Sequence, residues 1–289
     1  MATKKQTKTL ISKPFQYNVG LETQYKRELS SLANAMLKDI TERIASIYRA
    51  NKSDISFAMD GIANDMKKVL ADLRKKYERI FRIQGTEYAK KMVMRQLRQS
   101  RVSFQSAMKE LFPEESLVIS GSVLSDEMKE VVEASIMENV SLIKSIPEQY
   151  LDRVAGAVTR SIQAGGSIKQ LKQEIVKYNG MTRRRADNIA LDQTRKTYTS
   201  INLRNMQKYG IKKVKWIHSG GGQHPRSYHL TRWDGKSEPP NGLNGYVFDI
   251  DRPPIIQRAE GNIQEIRGYP AQLPNCKCTM AAVVEIEPV

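Results

Sequence analysis

All three histidines, both cysteines and both tryptophans of the chain fall between residues 216 and 278: Trp216, His218, His224, His229, Trp233, Cys276 and Cys278. These are the side chains with the widest chemical repertoire, and their spacing suggests metal binding. Zinc takes four nitrogen or sulfur ligands in a tetrahedron. His224 and His229 are separated by four residues, and an extended backbone through Cys276-Lys277-Cys278 aims both thiols at one face. His-x4-His with Cys-x-Cys therefore predicts a structural zinc site built from His224, His229, Cys276 and Cys278. His218 is the reserve ligand, should Pro225 turn His224 away. The competing expectation is that the thiols pack as small buried hydrophobes and the histidines serve as loop donors. A disulfide between Cys276 and Cys278 would close a small strained ring, so reduced thiols and a reducing cytoplasm are expected.

Other chemistries fit less well. Zinc deaminases need a His-x-Glu and a Pro-Cys-x-x-Cys run, whereas this chain has Pro274-Asn275-Cys276-Lys277-Cys278. His-Glu-x-x-His is absent. A nucleophilic pair of Cys276 with His229 has little beyond Lys277 to lower the thiol pKa. Gly220-Gly221-Gly222 reads as a plain loop, because no Gly-Lys-Ser/Thr follows it. The set His224, Arg226, His229, Arg232 and Asp234 is compatible with a nuclease site or with a hydrogen-bonded structural knot. The knot is favoured, with Arg226 and Asp234 as its charged members. The acids nearby, Asp234, Asp249 and Asp251, make a poor set for two-metal chemistry. No catalytic residue is assigned.

Two kinds of element must position these residues. Residues 1–20 read as a flexible basic arm, broken by Pro14 and Gly20. Leu21, Tyr25, Leu29, Leu32, Met36, Ile40, Ile44 and Ile47 recur at helical spacing. After a break at 51–54, Ile55, Met59, Ile62, Met66, Val69, Leu73, Tyr77 and Ile80 form a second stripe, and helix resumes over 86–111. Residues 21–124 are thus expected to be a long-helix hairpin region, with methionines filling its core. Residues 125–210 form a second helical region. One helix runs to about Lys144, and a second starts with Pro147 in its first turn and runs to Ala164. A short helix over 168–178 ends at Asn179-Gly180, and Thr182 caps a last helix stopped by Gly210. Strands are expected over 214–218, 246–250 and 278–286, within a small strand-and-loop module at 211–289. The predicted class is α+β: an elongated, mainly helical N-terminal body followed by that module.

Charge separates these regions further. The 289 residues carry a formal net charge of +16, of which residues 211–289 hold only +2. Residues 67–101 contain twelve Lys and Arg against three acids, while 102–165 are net acidic. A balance of this kind favours polyanions as partners, nucleic acid first and an acidic protein surface second. Candidate phosphate contacts are Lys67, Lys68, Lys75, Lys76, Arg95, Arg98, Arg183, Arg184 and Arg185. No stretch approaches the roughly 20 apolar residues of a membrane helix, and the basic start lacks the apolar core of a secretory signal. No membrane partner is expected.

The ordered set Asn139–Pro147, Gly166-Ser-Ile-x-x-Leu, Arg185-Ala-Asp-Asn-Ile-Ala190, Gly210-Ile211, Lys215-Trp216, His224-Pro-Arg-x-x-His229, Asp234-Gly235 and Pro274-Asn-Cys-Lys-Cys278 resembles the phage Mu F-like minor head, or head morphogenesis, proteins. The resemblance covers roughly residues 135–282. Where that family often reads Ile-Ala-Arg-Thr-Glu, this chain has Ile189-Ala-Leu-Asp192-Gln193. The resemblance implies a minor capsid protein of a tailed phage. It would assemble in the host cytoplasm, associate with the portal and with scaffold or major capsid protein, and reside inside the virion head. There its basic surface would meet packaged double-stranded DNA without sequence specificity. The alternative is a metal- or histidine-dependent nuclease, or a toxin-like effector delivered with the DNA.

Overall fold

The computed structural model describes residues 8–50, 58–113, 124–163, 168–221 and 224–286. The elements in chain order are β1 (Lys8–Ile11), α1 (Val19–Ala50), α2 (Ala58–Leu111), α3 (Asp126–Gln163), α4 (Ile168–Lys208), β2 (Lys213–Ile217), α5 (Ser227–Leu230), β3 (Val247–Asp249), β4 (Ile255–Gln257), β5 (Ile266–Arg267) and β6 (Thr279–Ile286). Long helices followed by short antiparallel strands make this an α+β chain, as expected.

The backbone forms two compact units. One comprises residues 22–92 and 136–191, and is helical throughout its described residues. The other comprises residues 1–21, 93–135 and 192–289, and holds the sheets. The bounds of these units differ from the expected ones at 124 and 210: α2, α3 and α4 each contribute to both units.

In the helical unit, α1 buries Tyr25, Leu29, Leu32, Ala33, Met36, Leu37, Ile40 and Ile44, the stripe its periodicity predicts. On α2, Met66, Leu73, Tyr77, Phe81, Ala89 and Met92 are buried at the same spacing. Gly85 continues that stripe and is no break. A Cβ built there would come 2.5 Å from Ile143 Cγ2 of α3, so glycine is the residue that admits this approach. The buried Tyr25 hydroxyl donates to Asn139 Oδ1 at 2.9 Å, and Ser30 donates to Asp187 Oδ1 at 2.7 Å.

Two predicted helix ends are continuous in the structure. Pro147 lies inside α3, among the buried Ile143, Ile146, Tyr150 and Leu151. Its ring removes one backbone donor, but burial of those four side chains holds the helix together. Asn179-Gly180 lies inside α4, where Asn179 Oδ1 accepts the Tyr150 hydroxyl at 2.6 Å. Local turn preference yields there to packing against α3. The expected breaks at 51–54 and at 165–167 lie outside the described residues.

In the second unit, the order β1-β6-β2-β3 forms one antiparallel sheet. Gly210, at φ 72°, ends α4 as expected, and Ile211 N–H returns to Met206 O at 2.9 Å. The sheet's core joins Val214, Trp216, Phe248, Met280 and Ala282 to Phe15, Phe104, Met108, Tyr198 and Met206. The N-terminal arm corrects the expectation of flexibility. Lys8–Ile11 form a strand paired with β6, Lys8 opposite Ile286 and Ile11 opposite Val283. Phe15 N–H donates to Met280 O at 2.9 Å, and the Tyr17 hydroxyl to Cys278 O at 2.6 Å.

Candidate metal centre

Cys278 directly precedes β6, and Cys276 stands two residues before it, so both thiols meet the same side of the strand. The turn feeding them contains Asn275 at φ 59°, a left-handed conformation that asparagine tolerates. That turn is braced from two directions. Asn275 N–H donates to Asp192 Oδ1 at 2.7 Å, and Arg226 Nη2 donates to Pro274 O at 3.1 Å. The short helix α5 carries His229, which is buried against Trp216, 5.1 Å between ring centres and edge-on.

The ligand atoms of His229, Cys276 and Cys278 all lie within 4.8 Å of one another, and all three residues are buried. His229 Nδ1 is 3.6 Å from Cys276 Sγ and 3.8 Å from Cys278 Sγ. On its other side, His229 Nε2 is 2.9 Å from Ile256 O. A carbonyl oxygen only accepts, so Nε2 carries the proton and Nδ1 presents a lone pair to the thiols. Such a cluster can hold a metal ion. Among the described residues it is the one group of three or more His, Cys, Asp or Glu with that geometry.

A hydrogen bond from Cys278 lowers the Cys276 pKa to about 4, against the opposing effect of burial and with help from His229. The same bond, with burial, pushes the Cys278 pKa up. The nearby indole N–H of buried Trp216 pulls it partly back.

The predicted ligand His224 is exposed and does not join this group. His218, the reserve, stands at the end of β2 with Nδ1 3.5 Å from Cys278 Sγ. Arg226 and Asp234 do not meet in a common knot. Arg226 braces the Cys276 turn, whereas Asp234 accepts the backbone N–H groups of Lys236 and Ser237, both at 2.9 Å. Hydrogen bonds from the Ser237 hydroxyl and from those amides hold the exposed Asp234 carboxyl below its usual pKa. Sequence reasoning missed the brace from Asp192 and the contact from Tyr17. Asp192 had a signal, since it stands where the family pattern reads differently, but a backbone partner 83 residues away does not.

The candidate phosphate contacts are dispersed. Lys67, Lys68, Lys75, Arg183 and Arg184 are exposed in the helical unit, and Arg98 is exposed in the other. Arg95 is half-buried, in the same unit as Arg98. Two candidates are structural: Lys76 pairs with Asp39 at 2.7 Å, and the half-buried Arg185 donates to Ser145 at 2.6 Å.

The family model described as Phage Mu protein F like protein matches residues 152–281. The chain carries a Mu F-like segment. The match includes the last turns of α3, all of α4, β2 and α5, and both thiols, and it bears out the resemblance to the Mu F-like proteins over that segment. An uncharacterized protein of Haemophilus influenzae strain Rd is 26% identical over 278 residues, covering 94% of this chain and 55% of the relative. The chain thus spans about half the length of that relative. No solved structure matches. β1, which lies outside the Mu F-like segment, completes the sheet begun within it. Among the described residues, no helix is long and apolar enough to cross a membrane.

Proposed function

We propose that this Mu F-like protein is a minor component of a tailed-phage head, held there by the portal and touching packaged DNA without reading its sequence. The family match supports the setting, and one surface feature carries the DNA contact. Lys68, Lys75, Arg79 and Arg82 are all exposed on α2 at intervals of seven, four and three residues, a single helical stripe. Over 14 residues the stripe extends about 21 Å, enough to lie along several phosphates of one strand. Point charges without base-reading geometry give affinity and no sequence preference.

The ion of the His229–Cys276–Cys278 cluster is, on this reading, zinc in a structural role. For zinc bonds of about 2.3 Å to sulfur and 2.1 Å to nitrogen, tetrahedral S···N edges are about 3.6 Å. The His229 distances of 3.6 and 3.8 Å match that edge. A nuclease or effector would need an open metal position or a set of carboxylates; the cluster contains no carboxylate, and a fourth protein ligand would close the open position.

Co-purification of the full chain with the portal protein of its phage tests the head assignment. A stable complex is expected, and a chain that passes through immobilised portal unretained would defeat it. The full chain is needed, because a cut at residue 210 would remove β1 and the end of α4 from the sheet unit.

A further inference from the structure

We infer that His218 is the fourth ligand, closing a His2Cys2 centre that has no position for water or substrate. The inference rests on the metal reading above and adds what completes the site and what the completed site can do.

Strand register makes the argument before any rotamer is considered. β2 and β6 are antiparallel, with Trp216 opposite Met280 and Ile217 opposite Thr279. The next step of that ladder sets His218 opposite Cys278. Directly opposed residues on one face hold their Cβ atoms about 5 Å apart, within reach of a shared ion. Alternation puts Trp216 and His218 on one face of β2, and Trp216 is the residue packed edge-on against His229. Cys276, Cys278, His218 and His229 therefore converge on one side of the sheet.

Side-chain distances agree. His218 Nδ1 stands 3.5 Å from Cys278 Sγ, the S···N edge of a zinc tetrahedron again. His218 lies outside the group whose ligand atoms all fall within 4.8 Å of one another, so its half-buried ring, which follows the last residue of β2, has to turn to join the other three. The His218 backbone N–H is fixed by Asn244 Oδ1 at 3.2 Å, which holds the strand end in place. Four protein ligands saturate zinc, so the centre acts as a staple. It ties the end of β2 and the short α5 to the start of β6, 47 residues from His229 to Cys276 and 60 from His218 to Cys278, in a region thin in regular structure. It also removes the Lewis-acid route on which a metal-dependent nuclease would depend.

Cobalt(II), which occupies zinc sites and reports their geometry by visible absorption, is the probe, titrated into the full apo chain. Zinc affinity follows by competition. Wild type should show the intense bands of four-coordinate cobalt with thiolate charge transfer. His218→Ala should lower affinity by more than the roughly tenfold loss typical of outer-shell changes, and should alter the band shape. His224→Ala should change neither. His218→Cys should keep the metal and strengthen the thiolate charge-transfer band, a gain that misfolding does not produce. The inference is overturned if His218→Ala retains wild-type affinity and spectrum, which marks an open three-ligand site, or if His224→Ala is the variant that loses them. No cobalt bound by any protein, wild type included, would instead overturn the metal reading itself.

Discussion

His229 and Ile256 fix the chemistry of the centre between them: the Nε2–H of the ring donates to the Ile256 carbonyl at 2.9 Å, and that bond leaves Nδ1 aimed at two sulfurs. That hydrogen bond sets the histidine in one tautomer. A preset donor orientation is what distinguishes a ligand from a histidine that only fills space.

Metal removal should therefore be felt as loss of stability. Protein purified without chelator should hold about one zinc per chain. Cys278→Ser should lose the ion and melt at lower temperature, and chelation of the wild type should reproduce that melt. Because the thiols must give up protons to bind, affinity should fall as pH falls. A metal-free protein that melts together with Cys278→Ser would show that the cysteines are packing residues.

Gly85 should resist substitution although it lies in a helix. Alanine gains about 1 kcal/mol of helix propensity, but its Cβ would meet Ile143 Cγ2 at 2.5 Å in a packed interior. Overpacking costs about 1–3 kcal/mol, so Gly85→Ala should be net destabilising in urea denaturation. In an Ile143→Ala background the same change should be neutral or stabilising. Additive effects of the two substitutions would refute the close approach.

Asp39 should contribute stability that depends on acid pH. Burial disfavours its charge, but hydrogen bonds from Lys76, Tyr77 and Arg43 outweigh that and hold its pKa at about 2. The unfolded value is about 3.9. A depressed native pKa adds stability above the unfolded value, and that stability is lost as pH falls through the range from about 4 to about 2. Allowing for partial exposure and screening, the contribution is about 1 kcal/mol. Asp39→Asn should be less stable than wild type at pH 6, and the gap should narrow towards pH 2. A gap independent of pH would exclude the charge as its cause.

Tyr17 should anchor the N-terminal strand. Its hydroxyl donates to Cys278 O at 2.6 Å and lies 3.2 Å from Thr199 Oγ1. Tyr17→Phe should cost about 1 kcal/mol. Deleting residues 1–17 should cost far more and promote aggregation, since it bares the edge of β6. Native-state hydrogen exchange at Val283 and Ala282 reads the outcome, and unchanged protection there would show that the arm is dispensable.

The exposed stripe on α2 should set the salt dependence of DNA binding. Replacing Lys68, Lys75, Arg79 and Arg82 with alanine should weaken duplex binding equally across sequences. It should also reduce the salt slope by roughly one for each phosphate no longer neutralised. Fluorescence anisotropy at two salt concentrations measures both. Binding that ignores salt, or a variant with the wild-type slope, would place the DNA-binding surface elsewhere.

What was legible in the residues follows from local periodicity. The apolar stripe of α1, the Gly210 stop and the three strands at 213–217, 247–249 and 279–286 all come from patterns that a few neighbouring residues complete. Where a local signal met a packed interior, packing prevailed. Pro147 and Asn179-Gly180 read as helix boundaries, and each lies inside a helix whose buried face stabilises it more than one poor residue destabilises it.

The amino-acid sequence by itself determined that every histidine and cysteine lies in the C-terminal third, that Cys276 and Cys278 share a face, and that the chain resembles the Mu F-like head proteins. Only the tertiary structure decided which histidines meet those thiols. Sequence spacing favoured His224, five residues from His229, but ligands are chosen by distance in space. The β2–β6 register carries His218 to Cys278 across 60 residues, while His224 stays exposed. The same holds for the N-terminal arm. Its composition is that of a tail, and its partner strand begins about 270 residues away, a pairing that no local window contains.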